Sequence, residues 1–400
     1  MTIAHIDADA FFASAIVRKN PSLEGKPLLA LGMGGGCVIA ASYAAKAFGV
    51  KTGMRLTEAL KLCPHAVHMP ADFHEAARAS HEIEAILRTL CPLVEQMSVD
   101  EWYLNLRTVT GGLPDNLEVW AKHQQENIAR KVGLTVSVGI GTSKILAKMA
   151  GEYRKPAGTT VIGQTIQLAD FLKDRSASAI PGIGSRRVLH TDAHGWKTAW
   201  DIARAPTEEL RRLFGKPGVE LQAELLGCAI DPVTAEIAPP KSISRCRSFR
   251  PTKNKDILWA QLLKHLEYTV LKMRRQHLAC RGISVWLRDG EYQGGGANAS
   301  LPQPAQTADA ILPSMKNCFE RSHDPQRTYT QVCLALWHLL PSAALQYSLF
   351  QKPEQTERDE AMQTSLDLLH ERFGRNAVTR GSALTVKTGT KVTMDLSVYQ

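Results

Sequence analysis

The chain has 400 residues, a formal net charge of +9, and contents of 44% hydrophobic and 22% charged residues. This length favours about two to four domains, and the composition excludes a small disulfide-stapled fold or a mostly disordered chain. The N-terminus "MTIAHIDADAFF" is too acidic for a signal peptide, and no apolar run approaches the roughly 20 residues of a membrane helix, so we expect a soluble cytosolic protein without a membrane anchor.

The first 164 residues predict alternating strands and helices. "TIAHIDADAFF" begins as a strand with Ile3, His5 and Asp7 on one face, and "KPLLAL" and "CVIAAS" are further strands on either side of "GMGGG". The helix "FHEAARASHEIEAILRTLCP" precedes a hairpin, and "LTVSVGIG" is a strand followed by the helix "TSKILAKMAGEYRK". Because the strict βαβ period of a doubly wound sheet is missing, we expect an α+β sheet with helices on one face.

The remaining chain predicts a helical stretch over residues 165–230, a proline-rich linker, and a basic block. Residues 241–345 hold fifteen Lys or Arg against seven Asp or Glu. Such a block indicates a polyanionic partner, most often nucleic acid, although a solvated surface is the plainer interpretation. After residue 345 the chain is polar and less regular, and we interpret it as an appendage.

The eight cysteines are scattered, with no C-x-x-C pair and no clustering with histidine. They are Cys37, Cys63, Cys91, Cys228, Cys246, Cys280, Cys318 and Cys333. This spacing predicts reduced, buried thiols rather than zinc ligands or disulfides.

The hairpin "MSVDEWYLNL" places two carboxylates, Asp100 and Glu101, side by side in an otherwise strand-forming stretch. Buried adjacent carboxylates repel each other and require a compensating cation. If Asp7 lies on the neighbouring strand, three carboxylates converge, and hard oxygen ligands of this kind select Mg²⁺ or Mn²⁺. A hairpin tip with both acids facing water is the alternative.

Several motifs together resemble the Y-family translesion DNA polymerases of the DinB and UmuC type. They are "HIDADAFFAS", "SYAAKAFGVKTGM", "MSVDEWYLNL", "VGIGTSKILAKMAGEYRKPAG" and "IPGIG". The resemblance covers about residues 1–345 and implies an α+β right-hand fold with a ferredoxin-like palm, small fingers, a helical thumb with a helix-hairpin-helix, and an α/β little finger. The implied divisions are palm 1–10 and 73–164, fingers 11–72, thumb 165–230, linker 231–242, little finger 243–345 and C-terminal tail 346–400.

The resemblance also implies a two-metal site. Asp7 and Asp100 would bridge two Mg²⁺ ions, with Mn²⁺ also acceptable, while Glu101 completes the site for the primer hydroxyl and the carbonyl of Ala8 is a further ligand. Asp9 lies on the same face as Asp7, and we interpret it as structural rather than as a ligand.

For the nucleotide, the resemblance implies backbone donors from Ala10, Phe11 and Phe12. Phe12 would be the steric gate that excludes a 2′-hydroxyl, with core packing as its alternative, and Phe11 is assigned to the core. The triphosphate would also contact three side chains, Tyr43, Lys46 and Lys155. Lys46 stands where relatives usually carry Arg, and it lacks the bidentate fork.

Two further positions near the site have open interpretations. Trp102 stands where relatives often have a small residue; it could crowd the site, although we favour packing beneath it. Gly36 and Cys37 would roof the templating base, with a flexible surface turn as the alternative.

For DNA, the amides of Gly182, Ile183 and Gly184 would approach a phosphate, reinforced by Arg186. Alternation along a strand places Arg245 and Arg247 on one face to follow a DNA backbone, with Arg250 beyond them. In the tail, "QYSLF" resembles a sliding-clamp peptide in which Gln346, Leu349 and Phe350 are the anchors.

These expectations describe a template-directed DNA polymerase that acts on primer-template DNA and deoxynucleoside triphosphates at the bacterial nucleoid. A non-catalytic DNA- and clamp-binding subunit and a nucleotidyl cyclase are the alternatives. The three acids together disfavour the first, and the helix-hairpin-helix and basic domain disfavour the second. The sequence leaves open whether a UmuD-like or recombinase partner takes part.

Overall fold

The computed structural model describes residues 1–236, 238–291, 293–344, 353–374 and 377–384. The chain divides at residues 237 and 238 into two compact units. Each unit combines sheet and helix, as the predicted α+β class requires. None of the helices in these ranges has the length and apolar character needed to cross a membrane.

The first unit contains two sheets and a helical region. Its strands are β1 (Ile3–Ala8), β2 (Leu28–Leu31), β3 (Val38–Ala41), β4 (Val67–Pro70), β5 (Val94–Gln96), β6 (Glu101–Asn105), β7 (Val136–Gly141) and β8 (Thr159–Val161). Its helices are α1 (Phe11–Lys19), α2 (Tyr43–Lys46), α3 (Leu56–Leu62), α4 (Phe73–Leu90), α5 (Leu117–Val132), α6 (Lys144–Tyr153), α7 (Leu168–Asp174), α8 (Ser185–Ala193), α9 (Ala199–Arg204), α10 (Thr207–Phe214) and α11 (Lys216–Leu225).

The larger sheet has the strand order β5-β6-β1-β7-β8, so β1 lies at its centre, antiparallel to β6 and β7. Ala4, Ile6 and Ala8 of β1 belong to one hydrophobic core with residues of α4 and α5. The smaller sheet, ordered β3-β2-β4, lies within the segment predicted as fingers. The period-two alternation of β1 therefore leaves His5 and Asp7 on the face opposite this core.

The expectation that helices cover only one face of this sheet is wrong, because α6 packs on the opposite face. Gly139 and Gly141 of β7 make this possible: a side chain on Gly139 would lie 2.0 Å from the backbone nitrogen of Gly151, and one on Gly141 would lie 2.9 Å from that of Ala147. Without side chains at these two positions, the helix lies directly on the sheet. This close approach brings residues of α6 next to β1.

The second unit is a four-stranded antiparallel sheet in the order β11-β10-β12-β9 with helices on one face. Its elements are β9 (Ser242–Thr252), α12 (Lys255–Arg275), β10 (Leu278–Arg288), β11 (Gly294–Ala305), α13 (Ala308–Ser322), β12 (Tyr329–Pro341) and α14 (Pro353–Phe373). Alternate residues of β10, namely Ile283, Val285 and Leu287, share a buried core with α12 and α13. The other face of the sheet faces away from these helices.

The C-terminal tail is more than an appendage, so that interpretation is wrong for its described part. Arg274 of α12 donates a hydrogen bond of 2.5 Å to Asp367 of α14, and Gln306 donates one of 2.9 Å to Glu360. Ala383 is fully buried in the core of the second unit. The tail therefore completes the packing of this unit.

The prediction that all cysteines are buried thiols is also wrong. A disulfide joins Cys246 of β9 to Cys333 of β12, which lie opposite each other in the strand register with Cα atoms 4.1 Å apart. Cys37 and Cys228 are free but exposed. The bonded pair is separated by 87 residues, so only the strand register reveals it.

Candidate active site

Asp7, Asp100 and Glu101 lie near one end of the central strand, where the charges of Asp100 and Glu101 act on Asp7. Asp7 of β1 lies directly opposite Glu101 of β6, and the backbone N–H of Ala8 donates to the carbonyl of Asp100 at 2.9 Å. The carboxylate of Asp100 accepts a hydrogen bond of 2.5 Å from the hydroxyl of Ser98. The expected juxtaposition of Asp7 with the hairpin acids is thus found in the fold.

Two lysines neutralise these acids. Lys155 Nζ lies 2.6 Å from Asp7 Oδ1. Lys148, on α6, donates to both oxygens of Glu101 at 2.7 and 2.8 Å. The sequence did not predict Lys148, because the position of this residue depends on the close approach of α6 to the sheet.

A buried histidine lies beside the acids. His5 is fully buried, neither ring nitrogen has a hydrogen-bond partner in the described chain, and one of them lies within 4.8 Å of carboxylate oxygens of Asp7 and Glu101. Burial, together with Lys148 and Lys155, lowers the pKa of His5 to about 3, so the ring is neutral at pH 7. Strand alternation had placed His5 on the same face as Asp7, but no role was predicted for it.

The electrostatics of the cluster favour a bound cation. Burial, together with the charges of Glu101 and Asp100, raises the pKa of Asp7 to about 6 despite Lys155. Burial also raises the pKa of Asp100. The carboxylate oxygens of Asp7 and Asp100, whose pKa values are raised, together with those of Glu101, are oxygen donors of the kind that suits a hard divalent cation.

The turn after β1 offers backbone donors. Ala10 adopts a left-handed conformation with φ of 47°, and α1 begins at Phe11. The first turn of a helix leaves its N–H groups without intrahelical acceptors. Phe11 is buried in the core, as predicted, whereas Phe12 is half-buried, with its ring centroid 5.5 Å from that of Phe11 and 5.6 Å from that of Phe73.

The residues expected to bind triphosphate lie close to these acids. Lys46 Nζ lies 4.3 Å from the centroid of the Tyr43 ring. Burial, followed by the positive charge of Lys155, lowers the pKa of Lys46, while the charges of Asp7 and Asp9 act in the opposite direction. Two segments distant in sequence, α2 and the loop after α6, therefore bring a phenol and two ammonium groups close to the acids.

Asp9 and Trp102, two neighbours of the acids, are both engaged within the fold. Asp9 is 2% exposed, and both its oxygens accept hydrogen bonds from the protein. Trp102 is fully buried in the core shared with α4 and α5, so it packs beneath the sheet and does not crowd the acids. Its indole Nε1 has no hydrogen-bond partner in the described residues.

Comparisons with known proteins agree with this geometry. The model of the impB/mucB/samB family matches residues 6–152, and that of the family's C-terminal domain matches residues 240–349. A DNA polymerase IV of Moorella thermoacetica is 32% identical over 390 residues, covering 95% of each chain. One of Caulobacter vibrioides is 30% identical, covering 96% of this chain and 94% of the relative.

The chain belongs to the impB/mucB/samB family. It is a DinB-type Y-family DNA polymerase, a DNA-directed enzyme of the translesion type. A solved "Y-family DNA polymerase chimera Dbh-Dpo4(243-245)-Dbh" matches with a TM-score of 0.76 and 25% identity, covering 85% of this chain and 100% of the other. Membership of this family implies DNA and nucleotide substrates and the use of divalent cations.

In this polymerase, Gly36 and Cys37 lie exposed in the connection between β2 and β3. A side chain added at Gly36 would meet nothing within 4 Å. The open space fits either a roof over a templating base or a surface turn, so the predicted role stays a prediction.

The "IPGIG" turn precedes α8, and one of its predicted phosphate donors is wrong. The N–H of Ile183 donates to a carbonyl three residues earlier at 2.9 Å, and its side chain is buried, so this amide serves the turn itself. Gly182 has φ of +92°, which only glycine adopts readily. Gly182, Gly184 and Arg186 are exposed.

Arg245 and Arg247 share a face of β9, as alternation predicts, but it is the face that α12 covers. They pair with Leu334 and Val332 of β12, both core residues, and directly opposed residues point to the same side. The guanidinium of Arg245 lies 3.9 Å from the centroid of the Tyr268 ring on α12. Arg245 is therefore engaged within the unit, whereas Arg247 is exposed.

Other arginines of this sheet are more accessible. Arg250 is exposed near the end of β9. Arg288 is exposed on the open face, paired with Gln331 and Gly294, and Arg281 is exposed at the irregularity of β10. The sequence did not predict Arg281 and Arg288 as DNA contacts, because alternation does not reveal which face the helices cover.

The predicted clamp-binding residues Gln346, Leu349 and Phe350 lie outside the described residues.

Proposed function

We propose that this polymerase adds deoxynucleotides to a primer 3′ end with two Mg²⁺ ions held by Asp7, Asp100, Glu101 and the carbonyl of Ala8, Mn²⁺ being an acceptable substitute. The observation that carries the proposal is the placement of Asp7 opposite Glu101, with Asp100 close enough for its charge to act on Asp7, whose pKa burial raises to about 6. Such a cluster is costly without a cation, and a pair of divalent ions relieves that cost.

When bound, the cations activate the primer hydroxyl and offset charge on the leaving pyrophosphate. The chain's own groups bind and orient the nucleotide. Lys155 and Lys46 supply positive charge, Tyr43 supplies a hydroxyl, and the N–H groups of Ala10, Phe11 and Phe12 are directed at phosphate oxygens. Lysine at position 46 keeps the charge but gives single-point contact, so nucleotide positioning is looser than with arginine.

Phe12 is the steric gate in this proposal. Its half-buried ring is supported by Phe11 and Phe73, so the exposed part can face a sugar without moving. Gly36 and Cys37 lie over the templating base, where small side chains tolerate damage. The residue ranges proposed for the palm, fingers and thumb are those expected from the sequence.

DNA is held through its phosphates. The proposed contacts in the first unit are Gly182, Gly184 and Arg186, and those in the second are Arg247, Arg250, Arg281 and Arg288. Contacts of this type carry no sequence code, which suits an enzyme that must copy any template. A sliding clamp would dock on residues 346–350, and the enzyme would work in the bacterial cytoplasm at the nucleoid.

The test is primer extension by Asp100→Ala with each deoxynucleotide in Mg²⁺. We expect extension to be abolished while primer-template affinity stays within about twofold of wild type, because phosphate contacts dominate affinity. Asp115→Ala, an exposed acid in the same unit, is the matched control and should extend normally.

Extension by Asp100→Ala at the wild-type rate would contradict the metal assignment. A wild-type chain that binds DNA but extends no primer in Mg²⁺ or Mn²⁺ would instead favour the accessory-subunit function. Deleting residues 346–350 should abolish stimulation by a sliding clamp and leave the basal rate unchanged.

A further inference from the structure

Asp9 links three segments of the first unit. Its Oδ1 accepts hydrogen bonds from the Ser137 hydroxyl at 2.8 Å and from the Tyr43 hydroxyl at 3.3 Å. Its Oδ2 accepts the backbone N–H of Ala157 at 2.8 Å. These donors come from β7, from α2 and from the loop after α6, so one carboxylate connects three elements.

Two of those segments carry the residues assigned to the triphosphate. Tyr43 begins α2, which also carries Lys46, and Ala157 follows Lys155 by two residues. Asp9 itself is fixed from both sides. Its N–H donates to Thr135 at 3.0 Å, and its carbonyl accepts the Ser14 hydroxyl at 2.6 Å. The position of the carboxylate is thus set before any nucleotide binds.

We propose that Asp9 is the positioning residue of the triphosphate site. It holds the α2 segment and the loop of Lys155 at a fixed spacing, so that their cationic groups match one polyphosphate. This inference rests on the proposed function. Asp9 is not a metal ligand in this assignment, because both of its oxygens already accept hydrogen bonds at 2% exposure.

The physical reason lies in preorganisation. A buried acceptor that takes hydrogen bonds from several donors holds those donors in place. Without it, Ala157 N–H has no acceptor and the Lys155 loop relaxes, so part of the nucleotide's binding energy is used to order the loop. The negative charge is not itself needed, since a carboxylate near a triphosphate is repulsive.

Two substitutions separate these contributions. Asp9→Ala removes every acceptor. Asp9→Asn keeps an oxygen for Ala157 N–H and offers an amide donor to the hydroxyl oxygens of Ser137 and Tyr43, both of which can accept. We therefore expect Asp9→Ala to raise the KM for deoxynucleotide about tenfold with kcat within about threefold, and Asp9→Asn to stay within about threefold of wild type in KM.

Glu224→Ala is the matched control. Glu224 is also buried and accepts backbone N–H bonds, from Ile145, Ile230 and Asp231, but it contacts none of the triphosphate residues. It should lower the melting temperature about as much as Asp9→Ala does and leave the nucleotide KM unchanged. The Mg²⁺ concentration for half-maximal rate should be the same for wild type and Asp9→Ala.

The outcomes are distinguishable. If wild type and Glu224→Ala extend primers and Asp9→Ala keeps the wild-type KM, the inference is overturned and the proposed function stands. If Asp9→Asn is as impaired as Asp9→Ala and both need more Mg²⁺, Asp9 is a ligand and the inference is overturned. A wild type that extends no primer overturns both. A raised KM confined to Asp9→Ala, with unchanged Mg²⁺ dependence, supports the inference.

Discussion

The larger sheet of the first unit and the sheet of the second unit carry opposite charges. The first has the buried Asp7 directly opposite the half-buried Glu101 on its neighbouring strand. The four strands of the second contain no Asp or Glu at all. Their arginines are Arg245, Arg247, Arg250, Arg281 and Arg288. A buried acid lowers the stability of the fold unless well-placed partners compensate its charge, so its position is tightly constrained. An exposed arginine has little effect on stability, so its position can vary. We infer that the catalytic residues are concentrated in the sheet of the first unit, and that the DNA contacts are distributed over the sheet of the second.

The strongest test of this division is Glu101→Gln. Losing one ligand charge at the proposed metal site should reduce the primer-extension rate about 10³-fold or more, equivalent to about 4 kcal/mol in the barrier. Primer-template affinity, measured by fluorescence anisotropy, should not change. Glu118→Gln, an exposed acid on α5, should leave both quantities unchanged. If Glu101→Gln lowers primer-template affinity as much as the extension rate, catalysis and DNA binding are not divided between the two sheets.

The cost of the buried acids can be measured directly in the metal-free protein. The pKa of Asp7 is about 6 in the folded chain, against 3.8 as its ordinary value, so ionised Asp7 destabilises the fold as pH rises through this window. In EDTA, Asp7→Asn should therefore raise the free energy of unfolding above pH 6, by at most about 3 kcal/mol at about 1.4 kcal/mol per pKa unit.

Urea unfolding of wild type and Asp7→Asn at pH 7.5 and pH 5 measures the sign of this change in the free energy of unfolding. The advantage of Asp7→Asn should fall by roughly half at pH 5 and vanish near the unfolded pKa, because wild-type Asp7 is then protonated. Added Mg²⁺ should stabilise wild type and not the variant. A variant less stable than wild type at both pH values would mean that the Lys155 ion pair outweighs burial.

Sugar selection should belong to the first unit alone. Phe12→Ala removes the ring proposed to exclude a 2′-hydroxyl and should raise the ratio of ribonucleotide to deoxynucleotide incorporation by about 10- to 100-fold, in the range that one pocket contact supplies. Single-nucleotide kcat/KM values measure it. Phe171→Leu, a core change in α7, should lower stability without altering the ratio. If Phe12→Ala discriminates between ribonucleotides and deoxynucleotides as well as wild type does, Phe12 is a core-packing residue and not the steric gate.

Some of this site could be predicted because its signals are local. Adjacent acids in a strand-forming hairpin and alternation along β1 together predicted that Asp7 meets Asp100 and Glu101. Lys148 could not be predicted, because it reaches Glu101 only where two glycines let α6 lie on the sheet. The fold class followed from the motifs, whereas the faces that the helices cover did not.

The second unit shows the same limit. Alternation is symmetrical between the two faces of a strand, so it predicted that Arg245 and Arg247 share a face but not that α12 packs on it. The pairing of Cys246 with Cys333 depends on the register of strands far apart in sequence. Register and packing are properties of the assembled sheet, and no single segment encodes them.

The smallest expected effect distinguishes two arginines of one sheet. Arg288→Gln, on the open face, should reduce the slope of log Kd against log salt by about 1, the contribution of one phosphate contact, and leave stability unchanged. Arg245→Gln should leave that slope unchanged and lower the free energy of unfolding by about 1 kcal/mol, since its guanidinium stacks on Tyr268. DNA binding from 50 to 200 mM salt and urea unfolding are the measurements.

Lys272→Gln, on α12, is the control for loss of one positive charge elsewhere in the unit, and its salt slope should match wild type within error. An equal decrease in slope for Arg245→Gln and Arg288→Gln would return Arg245 to the DNA contacts. An unchanged slope for Arg288→Gln would mean that the open face of the sheet does not bind DNA. The DNA contacts of this unit would then be assigned to the edge strand β9. Either result would change which residues of the second unit's sheet are assigned to DNA binding.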